Sequence, residues 1–193
     1  APFQEGRLKF LEEARLLKKL SDVPQIINVR DCFEMNNTAY IVTEYVEGVT
    51  LTQWVHSRGG RVPAPEVLKL MEGVFDGLSR IHELGLIHRD ISPDNIILMP
   101  DGRLKLIDFG SARSVQDGKS MTVLLKAGFS PVEQYQSKGQ GPYTDVYAMA
   151  GTIYYCLTGV VPPTAIDRFG GDELRQPNSL GAGLTEHQQD ALM

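Results

Sequence analysis

Two short stretches carry side chains whose types and spacing could do chemistry together. IHRDISPDNIIL (87–98) places Asp90 five residues before Asn95, and IDFGSA (107–112) places Asp108 ahead of an aromatic residue and a glycine. A carboxylate within reach of a hydroxyl can orient it or take its proton. A carboxylate with an amide oxygen offers the hard-oxygen donors that Mg²⁺ prefers. Either triplet alone, His88-Arg89-Asp90 or Asp108-Phe109-Gly110, arises by chance, and only the pair at this separation is specific.

Several elements must bring these groups to one place. Ile96–Leu98, the turn Pro100-Asp101-Gly102 and Leu104–Ile107 read as a β-hairpin, which returns the chain from Asn95 to Asp108. Phe10, Leu11, Ala14, Leu17 and Leu20 fall on one stripe of a helix over 10–20. Two strands rich in Val, Ile, Tyr and Phe follow, 28–35 and 38–45, joined at Asn36-Asn37. Leu68, Met71, Phe75, Leu78 and Ile81, with Val67, Leu70 and Val74 beside them, predict a long buried helix over 65–84 that stops at Gly85. A second mostly apolar helix spans 144–159 and ends at Gly159, and another begins at 185–193. The 144–159 stretch is too short and too rich in tyrosine for a membrane span.

The ordered set resembles the protein kinase signature, H-R-D-L-x-x-x-N followed by D-F-G. The fold implied is α+β, a protein-kinase-like fold with a mostly helical C-lobe and a remnant of the N-lobe. The resemblance divides the chain into a partial N-lobe at 1–43, a hinge at 44–47 and a C-lobe at 48–193 that is incomplete at its end. Phosphoryl transfer asks for little covalent work from the protein and a great deal of positioning and charge stabilisation. The resemblance makes Asp90 the catalytic carboxylate and Asn95 and Asp108 the Mg²⁺ ligands. It makes Glu13 the glutamate of the family's αC helix, with Glu12 the competing choice. Thr43 matches the gatekeeper, and the backbone of Glu44, Tyr45 and Val46 would face the adenine of ATP, with Ile97 beneath the ring. Asp145 matches the aspartate that holds the catalytic-loop backbone. His88 and Phe109, with Leu17 and Val29, resemble the hydrophobic spine of an active kinase, and Arg89 would pair with a phosphorylated residue of the activation segment. Ser114, Ser120 and Thr122 are the hydroxyls available there, Thr122 being preferred.

Three departures from the family pattern bear on catalysis. Ser92 stands where the family usually has a lysine that neutralises the γ-phosphate. The segment KAGFSPVEQY (126–135) replaces G-T-x-x-Y-x-A-P-E, with Val132 inserted between Pro131 and the matching Glu133. Ala150 takes the glycine position of the 144–159 helix. Lys126 lies seven residues before Glu133, in a loop that in the family packs against the catalytic lysine. It therefore either returns the charge that Ser92 lacks or is a solvated loop lysine. HRDISPDN, GFSPVEQY and TDVYAMAGTIYYCLTG together look like bacterial serine/threonine kinases of the PknB-like class.

Upstream of Phe10 there is room for nine residues, and no glycine-rich phosphate loop or lysine of the family's third strand fits in them. Lys9, adjoining the helix, cannot serve. The expectation is a fragment, catalytically silent by itself, of a parent that carries those parts.

Composition excludes more than it proves. A net charge of −5, from 19 basic and 24 acidic residues, leaves no nucleic-acid footprint. Cys32 and Cys156, in a strand and a buried helix, fit reduced thiols in a cytoplasmic enzyme rather than a disulfide framework. Two functional classes remain: an ATP- and Mg²⁺-dependent kinase acting on a serine or threonine hydroxyl of a protein substrate, and a pseudokinase or scaffold using the same fold to bind partners. A small-molecule kinase fits less well with the activation-segment hydroxyls and the Pro-Glu motif.

Overall fold

The computed structural model describes residues 2–109, 112–114, 125–136 and 139–193. The first helix, α1 (Pro2–Leu17), starts earlier than the apolar stripe predicts and passes into a 3₁₀ turn at Lys18–Leu20. Leu11, Ala14, Leu17 and Leu20 are buried, and α1 packs against the hairpin of β1 (Val29–Met35) and β2 (Thr38–Thr43). That hairpin closes through Asn36 and Asn37, at φ 50° and 60°. A two-residue turn with both central residues left-handed matches the twist of the strands it joins, and asparagine tolerates that conformation.

A three-stranded sheet in the order β3-β5-β6 forms next, from Val49–Thr50, Ile96–Leu98 and Leu104–Leu106. β5 and β6 are the hairpin read around Asp101-Gly102, paired Ile96 with Leu106 and Leu98 with Leu104. Between β3 and β5 lie α2 (Leu51–Ser57), α3 (Ala64–Glu83) and β4 (Leu86–Ile87), the last paired with β7 (Arg113–Ser114). α2 begins with a capping box in which Thr50 and Gln53 satisfy each other's backbone amides. After a short α4 (Val132–Tyr135), α5 (Pro142–Thr158) runs through the centre of the helical part, and α6 (Glu186–Leu192) closes the chain.

The buried face of α3 is centred on Val67, Met71, Val74, Leu78 and Ile81. Phe75 lies at the edge of that stripe and is 40% exposed, so it is not the core residue the periodicity suggests. The link between the two-stranded sheet and α3 is close. A Cβ on Gly77 would stand 3.0 Å from the Ile26 side chain, and Leu106 binds the same link through its amide to the Gln25 carbonyl and its carbonyl to the Ile27 amide. Residues 25–27 are thereby fixed between β6 and α3. Among the described residues, no helix is long and apolar enough to cross a membrane.

Candidate active site

β4 delivers the chain to His88, and from there the loop backbone is held by α5. Asp145, fully buried, accepts hydrogen bonds from the His88 amide at 2.9 Å and the Arg89 amide at 2.8 Å. His82 of α3 reaches the same carboxylate, 2.8 Å from Nε2. Arg89 sits at φ 72° and is buried, a conformation that costs an L-residue free energy and persists only where its surroundings impose it. The His88 ring bridges two segments of the site: Nδ1 accepts from the Asp90 amide at 3.2 Å, and Nε2 donates to the Ile107 carbonyl at 3.1 Å. Burial holds its pKa below the ordinary value against the pull of Asp145, so the ring is neutral in one tautomer. Phe109 packs edge-on against it, ring centroids 4.4 Å apart.

Asp90 and Asn95 are in contact. The Asn95 Nδ2 donates to the Asp90 carbonyl at 2.7 Å and to its Oδ2 at 2.9 Å, and the Asn95 carbonyl accepts from the Ile107 amide at 2.9 Å. This last bond draws the strand end that carries Asp108 alongside Asn95. Asp108 itself has φ 61°. Burial raises the Asp90 pKa, while the charge of Lys126 and the Asn95 hydrogen bond work in the other direction. Among the described residues, no group of three or more His, Cys, Asp or Glu could hold a metal by itself. An amide oxygen and one carboxylate nevertheless suit Mg²⁺, which commonly takes one or two protein oxygens and completes its octahedron with phosphate and water.

Lys126 enters the loop from outside it. Its Nζ donates to Ser92 Oγ at 2.7 Å and pairs with Asp94 Oδ2 at 2.8 Å, and Thr52 of α2 donates to the other Asp94 oxygen at 2.6 Å. The hydrogen bonds from Lys126 and then Thr52 hold the Asp94 carboxyl below its ordinary pKa. The backbone around Lys126 is wound into a turn. Its amide donates to Ser130 Oγ at 2.9 Å, and its carbonyl accepts from the amides of Phe129 and Ser130 at 3.0 Å. Gly128 completes the turn at φ 84°, where a Cβ would lie 2.6 Å from the Pro162 carbonyl oxygen. Glu133, in α4, accepts from Thr144 of α5 at 2.9 Å.

On the other side of the site, Glu13 is 5% exposed and Glu12 faces solvent, so Glu13 is the carboxylate that α1 turns inward. Phe10, Leu17, Val29, Ile41, Thr43, Asp108 and Phe109 are among the residues around a cavity of about 260 Å³. Beyond Thr43 the Glu44 amide is already bonded to the Asn28 carbonyl at 2.9 Å, and the Glu44 carboxylate takes the Asn28 amide and the Lys105 ammonium. Tyr45 is 92% exposed, and Val46 packs partly against the core. Ile97 lies half-buried in β5, paired with Thr50 and Lys105. Ser120 and Thr122 lie outside the described residues, as does the side chain of Ser114. Sequence reading missed Asp94, His82 and Gln134. Asp94 adjoins Asn95 in the same motif, but nothing local signals that a lysine from residue 126 would reach it.

The chain belongs to the protein kinase domain family, whose profile matches residues 3–177. Its relatives include the serine/threonine-protein kinase PknB of Mycobacterium leprae, 34% identical over 163 residues that cover 80% of this chain and 26% of that protein. PknL of Mycobacterium tuberculosis is 33% identical over 159 residues, covering 81% of this chain and 39% of that one. The chain thus spans well under half the length of these curated relatives. The solved structure "PpkA-294 apo form" superposes with a TM-score of 0.78 at 31% identity, covering 98% of this chain and 69% of that one. The family and its bacterial serine/threonine relatives agree with the resemblance carried by the two motifs, and the α+β kinase fold agrees with the architecture described above.

Proposed function

We propose that this chain is the greater part of an ATP- and Mg²⁺-dependent serine/threonine kinase catalytic domain that passes the γ-phosphoryl group of ATP to a protein hydroxyl. Asp90 orients the substrate hydroxyl and accepts its proton, and burial, which raises its pKa, favours that role. Asn95 and Asp108 hold Mg²⁺, which when bound neutralises the charge of the phosphates. Thr43 and the backbone of Glu44 to Val46 form the adenine edge, with the Glu44 amide already committed to Asn28, and Ile97 lies under the ring. Glu13, the carboxylate that α1 turns inward, is the partner of the small-lobe lysine. Residues 1–43, 44–47 and 48–193 serve as partial small lobe, hinge and large lobe.

The observation that carries the reading is the position of the Lys126 ammonium, within hydrogen-bond reach of Ser92 and Asp94 and electrostatically coupled to Asp90. A positive charge at this place is what the serine in the loop would otherwise remove. A pseudokinase would have no use for it, although Ser92 itself keeps that second reading in view. The test is single-turnover transfer from labelled ATP by the whole gene product and by Asp90→Asn. Loss of transfer with ATP binding retained supports the enzyme. Transfer at the unmodified rate by Asp90→Asn removes the role given to that carboxylate.

A further inference from the structure

Gln134 is a polar side chain in an unusual place. It is 3% exposed, in the short helix α4, and its Nε2 donates to the Arg89 carbonyl at 2.8 Å. The peptide that begins with this carbonyl ends with the Asp90 amide, which donates to His88 Nδ1 at 3.2 Å. Both polar ends of the Arg89–Asp90 peptide are therefore tied down, one by α4 and one by the buried imidazole. The preceding peptide is tied as well, through the Arg89 amide to Asp145 at 2.8 Å. Arg89 needs such ties, since its left-handed backbone at φ 72° would relax if one were released. The orientation of that peptide plane sets the direction in which the Asp90 side chain leaves the backbone.

The helix that presents Gln134 is itself anchored. Glu133, its neighbour, accepts from Thr144 Oγ1 at 2.9 Å, and the Gln134 amide bonds to the Pro131 carbonyl at 3.1 Å. The segment 125–136 thus touches the loop on both sides of Asp90, through Gln134 at Arg89 and through Lys126 at Ser92. A charge explains the second contact. The first offers no charge and meets no substrate, so its effect is geometric.

We propose that Gln134 is a positioning residue for the transfer reaction: its amide sets the Arg89–Asp90 peptide plane and makes the aim of Asp90 depend on the docking of segment 125–136. This rests on the kinase reading above, and the experiment separates the two. Amide hydrogen exchange of the full-length protein is followed for residues 88–92 and for α3 and α5 in the unmodified protein, Gln134→Leu and Gln134→Glu, together with kcat and the KM for ATP. Gln134→Leu is expected to speed exchange at Asp90 and Ile91 while α3 and α5 keep their protection, and to lower kcat by about 10-fold with KM nearly unchanged, because a small misplacement of a reacting group is costly. Gln134→Glu keeps the shape but can donate to the carbonyl only when protonated. Its kcat relative to the unmodified protein is expected to rise as pH falls from about 8 to about 6, burial favouring the protonated acid. Unchanged exchange at residues 88–92, an equal rise in exchange throughout α3 and α5, or unchanged kcat despite faster local exchange would each overturn the proposal. An unmodified protein with no transfer activity would overturn the kinase reading and its catalytic consequence, while exchange would still decide whether Gln134 holds the peptide.

Discussion

Replacing Lys126 by alanine separates its electrostatic role from its structural one. The ammonium donates to the fully buried Ser92 and pairs with Asp94, whose side chain is 55% exposed. A pair this exposed contributes about 0–1 kcal/mol, and the hydrogen bond to the serine hydroxyl about 1 kcal/mol. Lys126→Ala should then cost about 1–2 kcal/mol, a fall in Tm of several degrees for a domain of this size, and leave the protein folded. The rate should suffer far more. Removing a donor aimed at charge that develops in a water-excluded site typically lowers kcat by about 10²–10³. The pH profile carries a second signature. Burial raises the Asp90 pKa and Lys126 opposes it, so without the lysine the pKa rises further and the acid limb of kcat moves toward higher pH. The assay is steady-state phosphorylation of a protein substrate across pH, with ATP affinity measured in parallel and expected to change much less. The double variant Ser92→Lys with Lys126→Ala should recover part of the loss, since a lysine stem from residue 92 can enter the space that Lys126 vacates. Unchanged kcat and an unmoved acid limb in folded Lys126→Ala would refute the reasoning and leave Ser92 uncompensated.

Asp108→Ala should weaken Mg²⁺-dependent ATP binding in calorimetric titration and Asn95→Ala should do so less, because a carboxylate is the stronger Mg²⁺ ligand; equal ATP affinity with and without Mg²⁺ in the unmodified protein would contradict both roles. Gly128→Ala combines a left-handed φ with a Cβ 2.6 Å from the Pro162 carbonyl oxygen, so a loss of about 2–3 kcal/mol is expected in denaturant unfolding, with kcat falling as Lys126 is displaced. For Asp94 the folded-state pKa is depressed, so its contribution to stability is present above the ordinary aspartate pKa and disappears as pH falls through the lower folded value. Asp94→Asn should accordingly narrow the stability gap between neutral and strongly acidic solution, and an identical acid-unfolding curve for the two proteins would show that the Lys126 pair contributes nothing.

The sequence by itself determined the family and the order of its elements, because motif spacing, turn residues and apolar period are local properties of the chain. Asp90, Asn95 and Asp108 stood out as candidates by type and separation, and the turns at Asn36-Asn37 and around Gly102 announced hairpins through the backbone angles they permit. Periodicity was too coarse for the rest. Glu12 and Glu13 are neighbours about 100° apart on a helix, and only the packing of α1 against the hairpin turned Glu13 inward and left Glu12 in water. Phe75 fits an apolar repeat counted from Met71, yet the face that α3 buries is set by what lies against it. The contacts that complete the site lie further still beyond local reading. Lys126 meets Ser92 across 34 residues and Gln134 meets Arg89 across 45. Such meetings depend on how α4 docks on α5 and how Asp145 of α5 fixes the loop, and no stretch of sequence short enough to show a period contains both partners.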